Sequence, residues 1–118
     1  MGAGEGDNPF NKMSEDLLWQ VINAIVEIRK FINEHPNAKF KIGKTNDCTR
    51  RKQEYHVDGY ERFKIIAESS SLENINELER TLIKFSMAFY GENIDNERNG
   101  GGGDIAESEK YYIYMVSK

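Results

Sequence analysis

Glu79 is the residue whose type and setting first call for chemistry. Ile75, Leu78, Leu82, Phe85 and Phe89 recur at steps of three and four, and on the helix this predicts the i−4 and i+4 neighbours of Glu79 are Ile75 and Ile83. Its carboxylate therefore emerges at the edge of the apolar face, where it needs a cation, a metal or water. The plainer reading is a long side chain reaching the surface, or pairing with Arg80 or Lys84. The other chemistry-bearing residues fall between Lys39 and Lys64, a stretch with eight cations and four anions. Gly43-Lys44-Thr45 follows an apolar-polar alternation, yet it is no phosphate loop, because Ala38 stands where that loop needs its first glycine. Gly100–Gly103 reads as a flexible hinge. His35, His56 and Cys48 are too few and too scattered for zinc, and no Ser/His/Asp arrangement can be picked out.

Charge is divided unevenly along the chain. Of its 118 residues, 16 are Lys or Arg and 20 Asp or Glu, a net charge of −4; residues 1–38, 39–64 and 65–118 carry −3, +4 and −5 in turn. The overall balance argues against a protein that coats nucleic acid through global charge and leaves room for a local basic site. One cysteine excludes an internal disulfide framework. Without an apolar leader or a membrane-length apolar run, the expectation is a soluble, intracellular protein, cytoplasmic or nuclear, of one small domain.

Residues 1–13 read as a disordered leader or expression remnant, and 14–118 as the domain. Leu18, Val21, Ile22, Ile25, Ile28 and Ile32 predict a helix from Ser14 to the His35-Pro36 step, and Leu17, Trp19, Val26 and Phe31 widen its apolar surface enough to need a substantial partner. Residues 39–44 alternate as a half-buried strand with Phe40 and Ile42 on one side and the lysines on the other. Asn46 or Asp47 caps a short helix through Arg50, Arg51, Lys52, Glu54 and Tyr55. Asp58-Gly59 makes a turn, and Tyr60 to Glu68 a second strand with Phe63, Ile65 and Ala67 inward. Ser70 and Glu73 have capping-box spacing for the long helix, which Gly91 ends. Lys110 to Val116 is an aromatic, β-prone final strand.

Taken together, Lys41-Ile-Gly-Lys-Thr-Asn-Asp-Cys-Thr-Arg-Arg51 and Glu79-Arg-Thr-Leu-Ile-Lys84 resemble the GIY-YIG nuclease superfamily over roughly residues 38–99. In that family a strand ending in Tyr-Ile-Gly is followed, eight residues after the glycine, by an essential arginine, and Arg51 is eight after Gly43. A later helix carries Glu-x-x-Leu-Ile-Lys, matched at residues 79–84. Lys44 fits the lysine that often follows the glycine, Tyr55 a position usually His or Tyr, and Asn93 or Asn96 an asparagine common after the glutamate helix. Lys41 replaces the tyrosine of the second motif, as in a branch of phage and fungal type. The first motif should precede Phe40, where this chain has a helix; Tyr112-Ile113-Tyr114 is the only similar segment. A circular permutation reconciles the two, with the C-terminal strand antiparallel to residues 39–44 and Tyr114 in the place of the first-motif tyrosine. A C-terminal strand beyond residues 60–68 would contradict it.

The resemblance implies an α/β (α+β) fold, a small three-stranded antiparallel sheet flanked by helices, with residues 14–35 an added N-terminal helix. It implies a Mg²⁺- or Mn²⁺-dependent endonuclease acting on DNA, with RNA as the second candidate. Glu79 would hold the metal, Arg51 would clamp the scissile phosphate, Tyr114 or Tyr55 would orient or deprotonate water, and Lys44 would stabilise developing charge. Lys41, Lys44, Arg50, Arg51, Lys52 and His56 would face nucleic acid. Two other readings stand beside it: a binding module on the same scaffold that has lost cleavage, and an interaction protein that forms a homodimer through the N-terminal helix.

Overall fold

Ser14 opens the first helix by accepting the Leu17 N–H at 3.2 Å, with Glu15 and Asp16 favourably placed in the first turn. In this computed structural model, which describes residues 14–96 and 105–118, helix α1 spans Glu15–Glu34 and ends at a His35 cap just before Pro36. The leader at 1–13 and the glycine run at 100–103 lie outside the described residues. The buried stripe is Leu17, Val21, Ala24 and Ile28, rotated from the expected one. The helix docks on α3 and β2 through its smallest side chain, Ala24, which allows a close approach and turns Ile22 outward with Trp19 and Val26.

The remaining elements are β1 (Phe40–Thr45), α2 (Cys48–Val57), β2 (Arg62–Ser69), α3 (Leu72–Phe89) and β3 (Tyr111–Ser117). The expected α+β architecture is what the chain adopts: three helices and a three-stranded antiparallel sheet. Strand order is β1-β3-β2, so the last strand in sequence is the middle strand in space. Its composition explains that position. A central strand covered on both faces needs apolar residues of both parities, and in Tyr111–Ser117 every residue but Tyr112 is buried.

One face of β3 presents Ile113 and Met115 to the main core, where Phe40, Ile42, Ile75, Leu78, Leu82 and Ile83 meet the α1 stripe. Each fully buried aliphatic side chain there contributes about 1.5–3 kcal/mol. The other face presents Tyr114 and Val116 to a smaller cluster with Tyr60, Tyr55 and Phe63.

Two expectations about strand faces are corrected. Lys44 has the parity of Phe40 and Ile42, because Gly43 occupies the intervening pleat, so it projects towards α3 rather than joining the other lysines. In β2 the register shifts between Ile65 and Ala67. This bulge buries Ile66 and Ala67 together and leaves Ile65 outside. The cap of α3 also moves by one residue: Ser71, not Ser70, accepts the Asn74 N–H. Its C-terminal cap is Tyr90, one residue ahead of Gly91. Gly59, at φ +93°, supplies the left-handed turn between α2 and β2.

The outer edge of β1 is covered. Phe40 and Ile94 form a parallel bridge, and the Asn96 side chain donates to the Ile42 carbonyl and accepts the Ile42 N–H, each at 2.9 Å. Asn93 donates to the carbonyls of Pro36 and Ala38. Both asparagines singled out by the family pattern thus bond to backbone along this edge.

Candidate active site

Gly43 and Tyr114 are direct partners across β1 and β3. The Tyr114 ring lies over the glycine so closely that a β-carbon there would stand 2.3 Å from Oη and 2.5 Å from Cζ. Only glycine admits this crossing. The tyrosine is thereby carried over the sheet towards α2, where its hydroxyl meets that of Tyr55 at 3.1 Å. Phe63 stacks on the Tyr114 ring at 5.1 Å and 18°, which fixes its plane.

Helix α2 buries no residue of its own. Its start is fixed by Asp47, whose side chain accepts the Arg50 N–H at 3.0 Å and whose carbonyl accepts the Arg51 N–H at 3.1 Å. Its body is anchored by Tyr55, which packs against Tyr60 at 5.1 Å and Tyr114 at 5.6 Å. Arg51 is held one turn before Tyr55, with a guanidinium nitrogen 3.1 Å from Glu54. Its Nε is buried with no hydrogen-bond acceptor among the described residues. A donor left in this state favours an incoming anion.

On the other side of the sheet edge stands Glu79, with only 1% of its side chain exposed. It does not snorkel, and it does not pair with Arg80, which bonds to Glu77 instead. The Lys44 ammonium lies 3.4 Å from its carboxylate and donates to Asn76 at 2.8 Å, itself only 11% exposed. Asn76 precedes Glu79 by three residues on the same helical face, a spacing that could have signalled its part in the cluster.

Electrostatics tie the two sides together. Burial pushes the Tyr114 hydroxyl far above the usual tyrosine range, and its bond to Tyr55 raises it further; Arg51 acts to lower it and Glu79 to raise it. Both charges are therefore within electrostatic reach of the phenol. Tyr114 is a neutral hydroxyl at any ordinary pH, suited to orienting a water or an oxyanion rather than to removing a proton.

Of the sequence candidates, the fold pairs Tyr55 with Tyr114 and Lys44 with Glu79, and Arg51 and Glu79 both act electrostatically on the Tyr114 phenol. Arg50, Lys52 and His56 are exposed along α2. Lys41 shares the face of Gly43 and lies 5.6 Å from the Tyr60 ring centre; a hydrogen bond with Tyr60 raises its pKa, so it stays charged. Burial pushes the Cys48 thiol up, away from thiolate chemistry. Between α2 and β2, a cleft of about 370 Å³ is lined by Cys48, Thr49, Lys52, Phe63, Lys64 and Ile65. Sequence reasoning did not find the Phe63 and Tyr60 rings that clamp the tyrosine pair, because only the strand pairing makes them neighbours.

The chain matches no family model, no curated protein and no solved structure. No helix among the described residues is long and apolar enough to cross a membrane.

Proposed function

We propose that this chain is a metal-dependent endonuclease that hydrolyses DNA phosphodiester bonds through a GIY-YIG-like site assembled in permuted order. The observation that carries this reading is the position of Tyr114: paired with Gly43, bonded to Tyr55, and in electrostatic reach of both Arg51 and Glu79.

The chemistry fits the residue types. A phosphodiester presents two non-bridging oxygens that share one negative charge, and the Arg51 fork with its buried free N–H would clamp them. Tyr114, kept neutral, would hold the attacking water or the phosphoryl oxygen by a hydrogen bond, with Tyr55 fixing its hydroxyl. Lys44 lies behind Glu79 and is nearly buried. It therefore acts by setting that carboxylate's position and charge rather than by touching nucleic acid from the surface. Arg50, Lys52 and His56 would take flanking phosphates along α2.

Among the described residues no three His, Cys, Asp or Glu gather, and Glu79 is the carboxylate this reading gives the ion. That suits Mg²⁺ or Mn²⁺, bound through one carboxylate, waters and substrate oxygens, and does not suit a structural zinc. Such an ion, when bound, supplies charge neutralisation and a more acidic water.

The Lys44–Glu79 pair favours a second reading, because the carboxylate already has a cation beside it. In that reading the scaffold and its basic helix bind DNA or RNA without cutting. Incubation with plasmid and branched DNA in Mg²⁺ and in Mn²⁺ separates the two. Cutting lost in Glu79→Ala and Arg51→Ala supports the nuclease; binding without cutting by any form supports the module.

A further inference from the structure

The outward face of α1 carries an apolar stripe that the fold leaves uncovered. Trp19, Ile22 and Val26 are 56%, 40% and 48% exposed, and their spacing of three and four places them along one side of the helix, opposite the buried stripe. The ends of this side are charged with opposite signs. Glu15 and Asp16 stand at its N-terminal end, and Arg29 and Lys30 at its C-terminal end. Lys30 reaches Glu27 at 3.7 Å on the surface, and Arg29 has no ion-pair partner among the described residues.

This pattern is its own complement. Turned end over end about a two-fold axis between Ile22 and Asn23, the stripe sets Trp19 against Val26 of a second helix, and the acidic end with Glu15 and Asp16 beside the basic end with Arg29 and Lys30. A parallel pairing would set like charges together at both ends. We infer that α1 is an antiparallel dimer face and that its occupant is α1 of a second copy of this chain.

An interface built this way is isologous, so each contact occurs twice. A helix of 20 residues is about 30 Å long, and one such pair lies at the small end of specific interfaces.

Trp19 is the only tryptophan in the chain, so its emission reports on this face alone. The test is sedimentation of the full chain from low micromolar to near-millimolar concentration, with Trp19 emission followed over the same range. A monomer–dimer transition with a matching blue shift is expected, weakened at high salt. Val26→Glu should abolish it while leaving the circular dichroism spectrum unchanged. The charge variants Glu15→Lys/Asp16→Lys and Arg29→Glu/Lys30→Glu should each fail to self-associate, yet pair when mixed. A chain that stays monomeric with an unmoved Trp19 spectrum overturns the inference, as does a dimer indifferent to Val26→Glu. Dimerisation that survives both charge variants would reject the antiparallel arrangement.

Discussion

Tyr114 crosses directly over Gly43, leaving no room for a β-carbon between the ring and the strand. This contact joins the last strand of the sequence to the first and delivers the phenol to Tyr55. Gly43→Ala should therefore displace the ring and destabilise the protein by about 1–3 kcal/mol, the usual range for overpacking. Urea denaturation measures it. In a Tyr114→Leu background the same alanine should cost much less, and equal costs in both backgrounds would show that the ring does not oppose the methyl group.

Lys44 and Glu79 form a nearly buried ion pair at 3.4 Å. Removing one member of a buried pair leaves the other in a low-dielectric site, so Lys44→Met and Glu79→Gln should each destabilise, by about 3 kcal/mol for the lysine change. The double variant should lose clearly less than the sum of the two. Strict additivity in the cycle would mean that the groups do not interact in solution.

The alkaline titration of the protein should single out Tyr114. Its hydroxyl is pushed above the ordinary tyrosine pKa by burial and by Tyr55, so the folded state retains this proton where the unfolded chain releases it. A raised folded pKa gives stability that is fully present below about pH 10, the unfolded value, and is lost as pH rises above it. Of the six tyrosines, Tyr114 should be silent in a phenolate absorbance titration of the folded protein. Tyr114→Phe should leave that curve unchanged while costing about 1 kcal/mol for the lost bond to Tyr55. A smaller phenolate signal in the variant would refute the assignment.

Asp47 governs where Arg51 stands. Because α2 buries none of its residues, its first turn depends on the Asp47 cap, and Asp47→Ala should destabilise by about 1 kcal/mol. Any cleavage activity should fall more than this modest loss of folded protein explains, since the arginine shifts with the turn. Thermal melts and rates measured on the same samples test the two effects together.

Much of this was legible in the sequence, and the failures have identifiable causes. Periodicity found α1 and α3 because an amphipathic helix repeats its signal over many residues. It set the α1 stripe slightly off: Val21 and Ile28 are buried and Ile25 and Ile32 pack against the core, but Ile22 is exposed while Leu17 and Ala24 are buried, a rotation that apolarity alone does not mark. Alternation placed β1, and its strict parity already sets Lys44 with Phe40 and Ile42; grouping it with the other lysines followed charge rather than position. The β2 bulge left no trace in composition. Spacing within a known pattern singles out Arg51 and Glu79, and the lack of a strand before Phe40 singles out Tyr114. The Lys44–Glu79–Asn76 cluster needed coordinates, because it joins an edge strand to a helix across more than thirty residues of chain.

The proposed hydrolysis needs Glu79, Arg51 and Tyr114 to act on one phosphodiester. The most direct measurement is the single-turnover rate of plasmid and branched-DNA cleavage in Mg²⁺ and Mn²⁺ by the purified chain and by Glu79→Gln, Arg51→Lys and Tyr114→Phe, each checked for an intact fold. Metal-dependent cutting is expected in the wild type, with losses of about 10²–10³ in each variant, Arg51→Lys included because a lysine lacks the planar fork. A wild type that binds DNA but never cuts it, or cutting that persists unchanged in all three variants, would contradict the account.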